Sequence, residues 1–387
     1  MKVAIVGCGY VADMYAATRH AHAEIEWVGA WDHDADRLAT CSRRWGVRAY
    51  QDLTELCDDA AVALVLNLTN PRSHFAITNQ CLLAAKHVYS EKPLAMTVSD
   101  AAMLAGLARD RGRLLSSAPC SLLSPPAQTL WHGIRSNVIG RPRLAYANFD
   151  DGMIAPWQAP WSWKNAAGVA WPAKDEFEVG CTYQHGGYVL TWLSFLFGSA
   201  RRVSGFASCV LPDKGIPVDR MAPDFTVGGV EYANGVTARV TCGLVAPRDK
   251  SLTVVGDDGV MVVADVRDER CPVMFSRRDD RPSIADRMLA PLTTWALRRV
   301  APNHAADRRW REYPRVGPAA EPLVADDKPV DFLRGPAEMA AALAAGRQCR
   351  LSPELGVHIV ELTERLQHPE RFSSSTVTTT CPTIEPL

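Results

Sequence analysis

A doubly wound α/β domain followed by an α+β domain with an open-faced, mainly antiparallel sheet is the architecture this sequence predicts. Three observations carry it. Short apolar runs alternate with helical patterns through the first 120 residues, the texture of a parallel sheet. After Pro125 and Pro126 the texture changes to consecutive strands joined by tight turns. The length of 387 residues, 47% of them hydrophobic and 22% charged, is enough for two ordinary cores.

The elements follow in order. Strands are expected at Lys2 to Val6, Ile25 to Trp31, Ala63 to Asn67, His87 to Ser90 and Arg113 to Ser116. Between them, the segment Phe75 to Lys86 sets Ile77, Cys81, Leu82 and Ala85 on one helical face. Ser99 is placed to cap a helix turning Met103, Leu104, Leu107 and Ala108 inward. A helix near Gln128 to Arg135 leads into strands at Arg143 to Phe149, Arg202 to Val210, Phe225 to Tyr232, Val236 to Leu244, Ser251 to Val255 and Val260 to Val266. Ala233-Asn234-Gly235 and Gly256-Asp257-Asp258-Gly259 read as hairpin turns, because Asn and Gly tolerate positive φ. One helix, Tyr188 to Phe197, interrupts this sheet. Residues 279–330, rich in Arg, Asp and Pro, read as an insertion or long loop. Two helices follow, from Pro336 to Ala345 and from Ser352-Pro353 onward, the second with Leu355, Ile359, Leu362 and Leu366 on one face. The tail after Pro369 is expected to fray. The division is therefore 1–120, 121–368 and a tail 369–387.

Composition narrows the function. Lys plus Arg is 42 and Asp plus Glu 43, so no global field gathers nucleic acid, and no partner of that kind is expected. The longest apolar run, Ala60 to Leu66, is far below the ~20 residues that span a bilayer. Because strand-forming residues begin at Val3, no leader peptide is expected. The eleven cysteines are odd in number and lack any C-x-x-C spacing; they read as reduced core thiols of a cytoplasmic protein, with no metal site.

Gly7-Cys8-Gly9-Tyr10-Val11-Ala12 follows the first strand and opens a helix, giving G-x-G-x-x-A. Gly7 suits the tight turn, Gly9 lets a pyrophosphate reach the backbone, and Ala12 keeps the helix close to the sheet, so the first domain reads as a Rossmann domain. Asp32 ends the second strand, where a carboxylate bonds a ribose 2′-hydroxyl and repels a 2′-phosphate. NAD is accordingly expected over NADP. The bland reading of Asp32 is a cap for the next helix. No H-E-x-x-H, G-x-S-x-G or G-x-x-x-x-G-K-[ST] is present, so zinc hydrolysis, ester hydrolysis and P-loop phosphoryl transfer lack their motifs.

Two further stretches sharpen this. Asn67-Leu68-Thr69-Asn70-Pro71-Arg72-Ser73-His74 closes the third strand, and Glu91-Lys92-Pro93-Leu94-Ala95 follows the fourth. With the glycine loop they resemble the glucose-fructose oxidoreductase and inositol dehydrogenase family, Gfo/Idh/MocA. The resemblance implies an active site between the domains, with Lys92 as active-site lysine near the nicotinamide. Thr69, Asn70, Pro71, His74, Glu91 and Pro93 would border the cofactor. It also implies a cis peptide before Pro93 and a homodimer or homotetramer paired through the open sheet. Family members carry an aspartate and an acid/base histidine on the helix that ends at Phe197-Gly198; here Gln184 and Tyr188 stand in those places, with His185 between them.

Lys92 and Tyr188 are therefore expected to converge on one substrate oxygen, with His185 as rival proton carrier. A tyrosine ordinarily ionises near ~10, so it needs a neighbouring ammonium to act as a base at neutral pH. Trp157, Trp161, Trp163, Trp171 and Trp192 crowd the segment before this helix. Trp161 and Trp163, with Gln184, are candidates to hold a carbohydrate-like substrate, against the plainer role of core packing. Asp175, Glu176 and Glu178 are further candidates to bond sugar hydroxyls. The leading function is an NAD-dependent oxidoreductase moving hydride to or from a hydroxyl or ketone carbon of a sugar, cyclitol or sugar nucleotide. Alternatives are an NAD-assisted lyase or glycosidase-like enzyme without net redox change, and a non-catalytic dinucleotide-binding protein.

Overall fold

Strand β1 (Lys2–Val6) is buried from Val3 onward, so a sheet built on it must be covered on both faces. In a computed structural model, which describes residues 1–279, 310–317 and 330–387, it lies inside a six-stranded parallel sheet. The other members are β2 (Glu26–Trp31), β3 (Arg48–Ala49), β4 (Leu64–Asn67), β5 (His87–Ser90) and β6 (Leu115–Ser117). Their order, β3-β2-β1-β4-β5-β6, reverses direction between β1 and β4. A ligand crevice opens at the carboxyl ends of the strands at such a reversal. The sequence missed β3, whose two residues are too few to show alternation.

The second sheet has eight strands: β7 (Pro142–Asp150), β8 (Ala200–Ser208), β9 (Phe225–Tyr232), β10 (Thr237–Gly243), β11 (Leu252–Gly256), β12 (Gly259–Val263), β13 (Val273–Arg277) and β14 (Arg311–Glu312). Their order is β14-β13-β12-β11-β7-β10-β9-β8. All neighbours are antiparallel except β7 and β10, which run parallel because long connections separate them. The sheet is larger than the six expected strands. Strand β14 falls within the stretch read as an insertion; residues 280–309 and 318–329 of that stretch lie outside the described residues. The hairpin at Asn234-Gly235 forms as expected, with Gly235 at φ 90° and β9 returning antiparallel into β10.

Alternation sorts the two faces of this sheet. Ala145, Ala147 and Phe149 of β7 point into the core, whereas Leu144 and Tyr146, with Phe206 of β8, stay exposed. Three helices cover the inner face: Pro125–Arg135, Gly187–Phe197 and Pro353–Gln367. Every residue of Gly187–Phe197 is buried, the mark of a helix with protein on all sides. Pro353–Gln367 packs against β8 and β9 and against helix Val98–Asp110 of the first domain, joining the two halves. It comes this close because β9 has Gly228, where a Cβ would sit 2.2 Å from Leu366.

Some sequence expectations need correction. Thr97, not Ser99, caps Val98–Asp110, accepting from the Asp100 amide at 3.1 Å, and Met103 is 60% exposed instead of inward. Trp192 is a core residue, its indole N–H donating to Ser121 Oγ at 3.0 Å. The tail does not fray. Val203 and Val377 exchange backbone bonds with Ser375 and Arg201, and Val377, Cys381 and Ile384 are buried. The buried carboxylate of Glu361 accepts from the amides of Thr378 and Thr379 at 2.9 and 2.8 Å. A polar Ser and Thr run looked like a solvated end; its backbone is satisfied by the edge of β8 and by one buried acid. No helix among the described residues is long and apolar enough to cross a membrane.

Deleting residues 373–387 removes the Thr378 and Thr379 donors of Glu361, leaving it Arg365, and uncovers three apolar side chains, so the truncated chain is expected to lose about 3 kcal/mol or more of stability. Thermal unfolding checks this; a truncated protein melting with the full chain would show that the tail contributes nothing.

Candidate active site

The turn after β1 is shaped by what lies beneath it. Gly7 adopts φ 96°, and a Cβ there would stand 2.8 Å from the backbone of Leu68, so β1 passes the end of β4 only as glycine. Over Gly9 there is open space, and Ala12 is buried under the helix it begins. Asp32, buried at the end of β2, accepts from the Cys8 amide at 2.6 Å and the Asp34 amide at 2.8 Å, and pairs with Arg37 at 3.0 Å. It is not the cap of the following helix; Asp34 is. The Cys8 side chain is turned into the core. Tyr10 and Val11 line the cleft beyond this loop. An open, glycine-floored loop beside a fixed carboxylate fits a dinucleotide.

Side chains from the second domain reach over this loop. The Asn165 amide group donates to the carbonyl of Tyr10 at 3.3 Å, and the Ala167 amide to Asp13 at 2.9 Å. Asn70 bonds Asp175, and Arg72 donates to the Glu178 carbonyl at 3.1 Å.

Thr69, Asn70 and Pro71 line the cleft at the end of β4. His74 does not. Fully buried behind them, it sets Nδ1 2.6 Å from the Pro93 carbonyl and Nε2 2.8 Å from the Thr69 carbonyl, tying the two loops together. Burial pushes its imidazole below the ordinary range. The Lys92–Pro93 peptide is cis. Glu91 accepts from the Tyr15 hydroxyl at 2.7 Å and from the Lys92 amide at 3.1 Å. Pro93 itself faces a separate small cavity under the C-terminal helix.

The cleft, of about 230 Å³, runs from this loop to the residues expected to do chemistry. Lys92 Nζ donates to Gln184 Oε1 at 3.0 Å. Burial alone would pull its ammonium down, but Glu176, Tyr188 and Glu91 outweigh that and raise it, so it carries its charge at neutral pH. A π-helical turn, Thr182–Gly186, precedes Gly187–Phe197. Its extra width turns Gln184, His185 and Tyr188 all toward the cleft. The rings of His185 and Tyr188 both rest on Phe149, at 4.8 and 4.9 Å between centroids.

Here the structure supplies what the sequence lacked. Asp151, just past β7, sets one oxygen 3.0 Å from His185 Nε2 and the other against Lys250 Nζ. Burial works to raise the Asp151 carboxyl, but the two cations hold it well below the carboxylate range. His185 and Lys250 are both pulled down by burial, against the attraction of Asp151. The Arg267 guanidinium lies over the Tyr188 ring, 5.1 Å from its centroid. Glu176 lines the same wall, its carboxyl pushed up to about 7 by burial and held from rising further by Lys92. Tyr188 lines the cleft between His185 and Arg267. Sequence reading missed Asp151, Lys250 and Arg267. Only Asp151 left a trace, as an acid beside Gly152 at the end of a strand.

Of the two expected tryptophans, Trp163 lines the cleft, together with Trp171 at 5.4 Å between rings. Trp161 does not; it packs on Gly215 outside. The thiols of Cys120 and Cys181 are buried and pushed up to about 12, unsuited to act as nucleophiles. No cluster of metal-ligating side chains occurs among the described residues.

Both halves of the chain match known families. Residues 1–118 match the family model described as the oxidoreductase family with an NAD-binding Rossmann fold, and residues 127–262 match the GFO/IDH/MocA C-terminal domain. The trans-1,2-dihydrobenzene-1,2-diol dehydrogenase of Sus scrofa is 24% identical over 272 residues, 68% of this chain and 74% of its own. A UDP-N-acetylglucosamine 3-dehydrogenase of Acidithiobacillus ferrooxidans is 27% identical over 147 residues, 38% of this chain and 44% of its own. Among solved structures, a levoglucosan dehydrogenase in complex with NADH and levoglucosan superposes with a TM-score of 0.71 at 18% identity, covering 95% of this chain and 96% of that one.

Two outcomes follow from this geometry. Asp32→Ala removes the acceptor of the Cys8 amide and the carboxylate facing a ribose, and is expected to narrow the preference for NAD over NADP, measured as the ratio of the two dissociation constants. The second outcome concerns Glu176. Its folded carboxyl titrates near 7, above an unfolded glutamate, so between about pH 5 and 7 the folded state binds the extra proton and stability falls as pH rises. Glu176→Gln is expected to gain in Tm relative to the unmodified chain across that window and to hold a constant difference above it.

Proposed function

Since the chain belongs to the GFO/IDH/MocA family of oxidoreductases, whose first domain binds NAD, we propose that it moves hydride between the nicotinamide and a carbon bearing a hydroxyl or ketone, on a sugar, cyclitol or sugar nucleotide. The observation that carries this reading is the placement of Lys92, Gln184 and Tyr188 on the same cleft that the glycine loop and Thr69 to Pro71 line. Bound NAD supplies the hydride acceptor. The rest is the work of this chain's side chains.

Loss of hydride leaves a carbonyl, so the hydroxyl proton must leave as the carbon is oxidised, and reduction needs the reverse. Tyr188 is the proton carrier in this reading, because it lines the cleft beside Lys92. Lys92, charged and holding two donors beyond the one given to Gln184, binds the same substrate oxygen and stabilises negative charge developing there. His185 stands behind Tyr188. One ring nitrogen faces Asp151 and the other is buried, so in this reading it orients the tyrosine ring through Phe149 while Tyr188 carries the proton. Trp163 and Trp171 provide flat apolar walls for a ring. The non-catalytic alternative rested on the absence of a carboxylate at Gln184; Asp151, paired with His185, supplies a carboxylate to the same cleft and counts against that alternative.

The test is a panel of sugars, cyclitols and sugar nucleotides with NAD, read at 340 nm. Tyr188→Phe is expected to lower turnover by ~100-fold or more with NAD binding nearly intact, the usual scale for loss of a general acid/base, and His185→Ala to act more weakly. Full turnover by Lys92→Ala would show that the hydride-transfer site is misplaced. Product formation without net absorbance change would favour the lyase or glycosidase-like alternative.

A further inference from the structure

The acids along the cleft each have a partner, whereas two of its guanidinium groups make no ion pair among the described residues. Glu91 is held by Tyr15 and the Lys92 amide, Asp151 by His185 and Lys250, and Asp175 by Asn70. Lys92 faces Glu176 across the cleft. Arg267 has only compensation at longer range, from Tyr188, Asp151, Asp265 and Glu91, which together hold its guanidinium charged against burial. Its Nε is sealed from solvent without an acceptor, and its guanidinium makes no ion pair among the described residues. The nearest acid in sequence, Asp265, spends an oxygen on the Arg267 backbone amide at 2.8 Å. Arg248, on the rim of the same cleft, is exposed and also makes no ion pair among the described residues. A guanidinium that lines a cleft and makes no direct ion pair among the described residues keeps its hydrogen-bonding fork open to a ligand. Its planar fork fits a carboxylate with two parallel bonds.

We infer that the substrate carries a carboxylate, as in a uronic or aldonic acid, docked on Arg267 beside Tyr188. This rests on the hydride-transfer reading above and names its substrate class. Arg267 lies over the ring of Tyr188, so a carboxylate held there places a neighbouring carbinol carbon near the tyrosine hydroxyl and Lys92. Lys250 does not compete for the acid group, because Asp151 already neutralises it. Neutral polyols would leave the guanidinium fork without an anion once the site closes around them, so the arrangement discriminates as well as binds.

The experiment uses the full chain with NAD and a set of hexuronates and aldonates. Each acid is paired with its neutral hexose, its methyl ester and the corresponding hexose phosphate. Binding is followed by calorimetry and NADH formation at 340 nm. The free acids are expected to exceed their esters and hexoses by roughly 10- to 100-fold in affinity or kcat/KM, the scale of a hydrogen bond to a charged group. Arg267→Gln is expected to bring that ratio close to one, and Arg267→Lys to restore part of it. Equal use of acid and ester by the unmodified enzyme would overturn the assignment without requiring any variant to fold. So would a preference for the phosphates, or no preferential binding by any acid. NADH formation without acid preference refutes the subsite and leaves hydride transfer standing. Preferential acid binding without NADH does the reverse.

Discussion

A single carboxylate, Asp151, keeps two would-be cations side by side at the floor of the cleft, and the arrangement above them depends on it. His185 and Lys250 are both buried enough that burial works against their charge. A charge in such a place persists only when paired and hydrogen-bonded. With Asp151 between them, His185 is fixed in orientation, Phe149 is clamped beneath it, and Tyr188 is stacked on the other part of the same ring. The tyrosine is left lining the space where a substrate oxygen would lie.

The opposite wall is built by the same logic from the other domain. Lys92 leaves β5 through Glu91 and the cis peptide to Pro93, and His74 fixes that turn by bridging the carbonyls of Pro93 and Thr69. The lysine is thus aimed by a buried histidine, and its charge is sustained by Glu176 from the short helix Ala173–Val179. Neither domain holds a complete set of groups. The C-terminal helix Pro353–Gln367, packed on Val98–Asp110 and on the second sheet together, sets the relation between them, and the tail that looked dispensable is tied to that helix through Glu361. Stability far from the cleft therefore bears on its geometry.

How much was legible in the sequence follows from the range of the interactions involved. The parallel strands, the glycine loop, Asp32, the loops at Thr69 to Pro71 and at Lys92, and the helix bearing Gln184, His185 and Tyr188 each show themselves over a few residues, because strand period, turn chemistry and helix spacing are local properties. One helix cap slipped by two residues, where Thr97 and Ser99 offered similar side chains. Trp161 and Trp163, two positions apart, were indistinguishable by type; only the turn they occupy puts one against the cleft and the other against Gly215.

What the sequence by itself determined is thus the fold class, the cofactor loop and the helix that faces it, all encoded by local periodicity and by glycines that no other residue replaces. Only the tertiary structure decided how the site is charged. Asp151 and Lys250 are about a hundred residues apart and meet because β11 runs antiparallel to β7 in a register that bridges Asp150 to Asp249. Arg267 arrives because Lys250 in turn bridges Asp265. Strand register across a sheet has no signature in any one stretch of sequence, since it is set by packing the inner faces together; the electrostatics of the cleft, which follow from register, were therefore invisible until the sheet was assembled.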